Sequence, residues 1–423
     1  MRQRWYGLAA LVGSLLAGGT AAFGQSFGVE LHNTLMPAAG GMGGVSIARP
    51  QDLTSAMNAN PAALTQFRGT QFLFGGGWAE PTFNLTQTSN IPALGPPLIE
   101  PFSARSEAPG TPLGNIGLTQ DLGELGLPAT LGMGFITTAG GFVDFRQVPE
   151  SHGTNSGQVI FNLPVALGVD LTDRLAVGAS VSLGIAFFDG PFVGVGGMTP
   201  DYALRGALGG NYVLTEATTV GAYYQTEQSY TFDNAVLLNP GPGQTAFDVN
   251  VDLPQNIGIG LANTSLMGGC LLLGVDVVYK LWDEADLYRA VYDNQWVVQV
   301  GAQLTRGRYR WRAGYVWAEN PIDDTPGESI GGVVQPGGFA AVRYTQGLLA
   351  ITSQHRISMG LGIADVLPGI DLDMLAGGMF RDSQQLGDFT TTSIEGYWLG
   401  AGLTWRFGRG ACERLPAPDS WCP

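Results

Sequence analysis

The chain has 423 residues, of which 45% are hydrophobic and only 13% charged, with 64 glycines and a formal net charge of −15. That acidity makes nucleic acid an improbable partner, and so little charge is unusual for a soluble domain. Beyond residue 24 no run of about 18 apolar residues occurs, which excludes a helical membrane protein.

The first residues have the pattern of a secretory signal peptide over 1–24. Arg2 and Arg4 form a basic start, Trp5 to Leu16 an apolar stretch, and Ala22-Phe23-Gly24 a small-residue cleavage site. Residues 25–67 do not alternate, and they are rich in glycine and alanine. A helical stretch is expected near Asp52 to Met57. Pro61 then pushes Asn60 out of the helical region and starts a second short helix at Ala62. The segment is too apolar for a free tail and too irregular for a strand, so it reads as a small plug, with Asn60, Pro61 and Ala62 at its end.

From about residue 70 strands and turns alternate to the end. Strands are expected at about 69–87, 111–120, 128–140, 157–170, 174–188, 201–214, 217–232, 254–264, 270–282, 295–305, 308–318, 352–363, 370–381 and 393–407. These fourteen strands span residues 68–407. Their connections alternate between short and long, the asymmetry of barrels with short periplasmic turns and long outer loops. In the strand 308–318, Arg308, Arg310, Arg312 and Gly314 fall on one face, with Tyr309, Trp311, Ala313 and Tyr315 on the other. The last strand does the same, with Tyr397, Leu399, Ala401, Leu403, Trp405 and Phe407 opposite Trp398, Gly400, Gly402, Thr404 and Arg406. One greasy and one small or polar wall is what a membrane strand needs, because lipid satisfies no backbone hydrogen bond and open edges are forbidden there. The abundance of glycine fits a lumen wall against which a plug packs. Residues 408–423 are expected to form a periplasmic C-terminal extension. There Cys412 and Cys422 are spaced for a local disulfide, which leaves the pairing of Cys270 open. Histidines and cysteines have no zinc-site spacing, and no cofactor is implied.

The plug followed by fourteen strands resembles the FadL/TodX family of outer-membrane transporters for hydrophobic compounds. The resemblance runs from about Ser26 to Phe407. It is carried by Gly40-Gly41-Met42-Gly43-Gly44-Val45-Ser46-Ile47-Ala48 with Asn60-Pro61-Ala62, similar to the family's hatch, by Leu253-Pro254-Gln255, by Asp276-Val277-Val278-Tyr279-Lys280-Leu281-Trp282, and by Trp311-Arg312-Ala313-Gly314-Tyr315-Val316 before Asn320-Pro321. The family usually ends at the terminal aromatic residue, so the extension is a departure. The resemblance implies a monomer in the bacterial outer membrane, inserted by the barrel assembly machinery and surrounded by outer-membrane lipid. It takes up a long-chain fatty acid or hydrocarbon ligand passively, with lateral exit into the bilayer where the third strand kinks inward. Direct release into periplasmic water would forfeit roughly 0.8 kcal/mol per methylene.

On that reading the kink lies between Phe135 and Phe142, where Gly140-Gly141 breaks the ladder. Ligand contacts are expected from Lys280 and Arg312, with Phe187, Phe188, Phe192 and Phe247 forming a capture groove in the loops. The bland alternatives are an ion pair between Lys280 and Asp276, and arginines paired with Asp371 and Asp373. A hydrophilic diffusion porin is the alternative function. It predicts more lumen charge and no hatch. An enzyme is not expected, since His355 shares the lipid-facing parity of Ile357 and Met359.

Overall fold

A computed structural model describes residues 30, 32–92, 98–190, 198–238 and 245–407. The signal segment, Phe192, Cys412, Cys422 and the extension 408–423 lie outside the described residues. Fourteen antiparallel strands close into one barrel: β1 (Thr70–Gln87), β2 (Thr111–Asp121), β3 (Ala129–Asp144), β4 (Asn155–Asp170), β5 (Leu175–Asp189), β6 (Thr199–Thr215), β7 (Thr218–Gln225), β8 (Gln255–Leu266), β9 (Leu271–Leu281), β10 (Gln295–Arg306), β11 (Tyr309–Ala318), β12 (His355–Leu367), β13 (Ile370–Leu386) and β14 (Thr390–Phe407). Closure comes from β1 and β14, which pair without a break from Thr70↔Phe407 to Gln87↔Thr390. No sheet edge is left to meet lipid, which is the condition for spanning a bilayer with strands. The closed barrel with its apolar outer band belongs in an outer membrane.

Parity along the strands is as the alternation requires. Tyr309, Trp311, Tyr315, Tyr397 and Leu399 are exposed, whereas Arg312 and Trp398 are buried inside. Two expectations need correction. Arg308 lies in the turn before β11, exposed, and its guanidinium donates to the Asp365 carbonyl. The expected strand 217–232 is two elements. β7 ends at Gln225, and Gln228–Leu238 leaves the barrel to pair with Thr245–Leu253 as a hairpin above it.

The plug fills the lumen between the strands. After a short 3-10 turn at His32–Leu35, its elements are a 3-10 turn (Ala39–Met42), helix α1 (Leu53–Asn58) and, beyond α1, a second 3-10 turn (Pro61–Gln66). Asp52 caps α1, its Oδ1 accepting from Ser55 N at 2.8 Å. Its Oδ2 accepts from the amides of Ala38 and Ala39, so one carboxylate ties three parts of the plug together. Asn60 has a double role. Its Oδ1 accepts from Ala62 N at 3.1 Å to cap the second turn, which Pro61 enters with a preset φ, while its Nδ2 donates to the carbonyls of Ile47 and of Gly210 on β6.

Plug and wall meet backbone to backbone. A Cβ at Gly314 would collide with Gly43 N, one at Gly178 with Ala62 N, and one at Gly221 with Ile47 O at 2.5 Å. Polar wall residues close the remaining donors and acceptors. Asp276 accepts from the amides of Ser46 (2.6 Å) and Ile47 (2.9 Å), Gln299 donates to Gly43 O, Ser358 accepts from Gly43 N, and Asn211 donates to Ala48 O.

At the end that carries the long connections the loops fold inward rather than standing off the barrel. The sequence offered no strand there, and α2 (Phe339–Leu349) lies within the stretch expected to be loop. Its Tyr344 and Leu348 join Phe83, Phe145, Tyr230, Phe232, Trp282 and Tyr292 in one buried core over the mouth. Substituting Gly314→Leu is expected to push the plug off β11 and raise single-channel conductance in planar bilayers. Conductance equal to that of the unsubstituted barrel would mean the plug does not rest on this wall.

Candidate functional site

Between β2 and β3 the ladder of the wall is interrupted. β1 and β2 stay paired up to Ala79↔Thr111, but β2 and β3 pair only from Asp121↔Thr130 to Asn115↔Ile136. Above that point Thr111 to Gly114 have no ladder partner on β3 among the described residues. The last contact is a side chain. Thr137 Oγ1 accepts from Gly114 N at 3.2 Å and donates to Gly114 O at 3.0 Å. One residue further on, β3 carries a bulge against β4 between Thr137 and Ala139. Bulges bend a strand and re-aim its side chains. The gap ends higher up, where Glu107 N donates to Asp144 O at 2.9 Å. It is therefore a closed window between β2 and β3, framed below by the ladder and above by the loop after β1.

A cleft of about 470 Å³, its open mouth included, lies behind the window. Ala79, Leu113, Ala139, Gly140, Gly141, Phe142 and Val159 give it an apolar lining, with His32 and Leu35 of the plug at the back. Gly140, Gly141, Phe142 and Gln158 also line a second space, which reaches Phe188, Tyr288, Leu348 and Leu349 under the loop cap. His32 also borders a third, deeper in the lumen.

That third space holds the charge. Glu30 of the plug is 8% exposed, and its Oε1 accepts from Arg205 at 2.6 Å. Its Oε2 lies 3.5 Å from Lys280 Nζ and accepts from Asn256 at 2.9 Å, while Lys280 donates to the Glu30 carbonyl at 2.7 Å. Arg356 shares this space at 6% exposure, and its Nε has no hydrogen-bond partner. Two buried cations, Arg205 and Lys280, thus hold one carboxylate, and a third, Arg356, lines the same space. Trp282, Val297, Val316, Ala318 and Ile351 complete the lining, so the cations sit at the end of an apolar wall. Glu30 also forms an isolated antiparallel bridge with Ala139, just past the bulge, which connects the charged space to the window.

The expected site residues separate into groups. Gly140 and Gly141 line the window cleft, but Phe135 lies below it on the outer face, stacked on Phe161 at 5.2 Å. Phe188 points inward and stacks on Phe232, whereas Phe187 has the opposite parity and is half-buried outside. Phe247 is on the hairpin strand Thr245–Leu253, and its side chain lies outside the described set. Lys280 reaches the plug's Glu30 rather than Asp276, whose carboxylate is taken by plug amides. Arg312 is not free to meet a ligand. It is bound to Asp373 at 2.6 Å and to Gln303 at 2.7 Å, beside an Arg310–Asp371–Arg406 group. Arg205 and Arg356 were missed as site residues. Arg205 sits opposite Ser182 in a strand whose inward parity is readable, and Arg356 shares the inward parity of Ser358 on β12. Cys270, in the turn before β9, is disulfide-bonded.

Among solved structures, this fold is that of the FadL/TodX barrels. The Pseudomonas putida toluene transporter TodX aligns over 88% of this chain and 98% of its own, with 16% identity and a TM-score of 0.63. A Pseudomonas aeruginosa FadL homologue covers 90% and 100%, at 13% identity and a TM-score of 0.64. The Ralstonia pickettii toluene transporter TbuX covers 89% and 99%, at 16% identity and a TM-score of 0.58. No family model and no curated protein sequence matches the chain.

Removing the central carboxylate leaves buried guanidinium and ammonium groups uncompensated. Glu30→Gln is expected to cost about 3–5 kcal/mol, read from denaturant unfolding of the barrel in lipid vesicles. A cost below about 1 kcal/mol would show that the backbone carbonyls of Thr226 and Pro254, which accept from Arg205, and of residue 30, which accepts from Lys280, satisfy these cations by themselves.

Proposed function

We propose that this barrel carries apolar molecules bearing an anionic head, with long-chain fatty acids as the leading class, from outside into the plane of the bilayer without an energy source. The observation that carries the reading is the interrupted β2–β3 ladder over an apolar cleft. A solute inside that cleft is one wall away from lipid. It leaves sideways and never meets periplasmic water, so it keeps the roughly 0.8 kcal/mol per methylene that hydration would forfeit. The plug supports the same direction, because segment 32–66 occupies the lumen where a straight aqueous route would run.

The three adjoining spaces give a sequence of events. An apolar chain enters beneath the loop cap past Phe188 and Tyr288. Its carboxylate reaches the deeper space, where Lys280 and Arg356 carry more positive charge than Glu30 neutralises. A carboxylate arriving there competes with Glu30 for Lys280. Glu30 also holds β3 at Ala139, so the competition loosens the segment behind the window and the tail turns toward the gap. The neighbours whose names state toluene transport carry a neutral hydrocarbon. The cationic space is what inclines this chain toward an acid.

Two measurements separate route from substrate. Replacing Gly140 and Gly141 together by Trp is expected to fill the cleft and abolish growth on oleate of a host lacking its own transporter, while binding of oleate to the purified protein persists. Full growth would favour exit through a displaced plug. Arg356→Gln is expected to weaken oleate binding about tenfold and leave binding of an alkane of equal length unchanged, in keeping with about 1.5 kcal/mol for a charge-assisted contact. Equal loss for both ligands would assign Arg356 to packing alone.

A further inference from the structure

A groove outside the lumen is not used by any step above. It lies on the outer face at the long-loop end of the barrel, where β13, β14, β1 and the short strand Phe102–Arg105 run side by side. The register sets two polar rows across these strands. One is Ser383, Ser393, Asn84 and Arg105, and the next is Gln385, Thr391, Thr86 and Ser103. Outward parity is fixed by the inward, buried Phe83, Leu85, Ile394 and Phe102. A bulge between Met379 and Asp382 turns Arg381 onto the same face, beside exposed Phe380. The groove encloses about 600 Å³, open side included.

Its charge is the informative part. Arg105 and Arg381 are both exposed, and neither has a carboxylate within ion-pair distance among the described residues. The nearest polar contact of Arg381 is Ser393 Oγ at 3.4 Å. In a chain with 35 acidic and 20 basic residues, two uncompensated guanidinium groups over one hydroxyl-lined groove need a reason. The acids on this face, Glu80 and Glu395, lie nearer the membrane, and Glu80 is engaged by Trp78 Nε1 at 2.8 Å. The groove's height gives the reason. Tyr397 and Trp78 mark the aromatic belt, and Ser393 is four residues further up β14, about 10 Å above the belt for a tilted strand. That is the level of the outer-leaflet headgroups.

The geometry points to a binding site for a phosphorylated glycolipid headgroup of the outer leaflet. Arginine forks suit phosphate oxygens, and rows of Ser, Thr and Asn suit sugar hydroxyls. The glycolipid's acyl chains then descend along the exposed Trp78, Leu399 and Phe380 below. This site does not depend on the transport reading.

The test uses the full chain in detergent with bisphosphorylated lipid A as the probe, read by native mass spectrometry and by titration. One lipid A is expected to bind per barrel. Arg105→Gln with Arg381→Gln is expected to weaken it at least tenfold, with heat-modifiable migration unchanged. Ser383→Glu, at an exposed position, gives a comparable loss if the double variant misfolds. Dephosphorylated lipid A and soluble glucosamine 1-phosphate are expected to bind at least tenfold more weakly than lipid A. Equal binding by the variants, equal binding of either phosphate-free or chain-free probe, or no binding by the unsubstituted protein overturns the site.

Discussion

Everything inside this barrel depends on the close approach of the plug backbone to a wall without side chains. Residues 43–48 and 60–62 lie against Gly314, Gly221 and Gly178 at separations that no Cβ tolerates. With side chains absent, the plug's own amides and carbonyls come within reach of a few wall polar groups, Asp276, Gln299, Ser358 and Asn211. Buried backbone groups must be paired, and a segment this irregular pairs only part of them with itself. The wall therefore completes the plug's hydrogen bonding, and the plug completes the wall's packing.

The same economy explains where the window is. A strand that swings inward needs something to hold it once it has left the ladder. At β3 the bulge follows Thr137, Thr137 ties off the last rung on Gly114, and Ala139 finds a new backbone partner in Glu30. The carboxylate of Glu30 is in turn fixed by Arg205, Lys280 and Asn256. One plug residue thus bridges the electrostatic centre of the lumen and the edge of the wall opening.

How much of this was legible beforehand varied with the range of the signal. Strand number, parity and the two-ended asymmetry of the connections follow from a period of two, and the barrel's closure enforces that period on both faces. The strand over 217–232 misled because its alternation continues through Thr226 and Glu227 into the hairpin. Nothing local distinguishes a wall strand from one that pairs above the membrane. Helix α2 was hidden because its caps are weak. Gly338 makes no side-chain cap, and the helix is held by packing under the loop core. Of the site, Gly140-Gly141 and Lys280 carried a signal. The partnership of Lys280 with Glu30 spans 250 positions and has no signature in the sequence. Arg312 carried two readings in the sequence, ligand contact and pairing with Asp371 or Asp373. Its lumen parity allows both, and the β11–β12–β13 register brings it to Asp373.

The central claim is that the interior path opens sideways between β2 and β3. Its most direct test is a photo-crosslinking map. A fatty acid carrying a diazirine in its chain is taken up by outer-membrane vesicles containing the protein, irradiated, and the labelled peptides are sequenced. The account predicts adducts on Leu113 and on Thr137 to Phe142, with the label absent from the periplasmic turns. Adducts concentrated on the plug's second turn, Pro61–Gln66, and on the short turns around Arg68 and Asp170 would contradict it, placing the exit through the floor of the barrel.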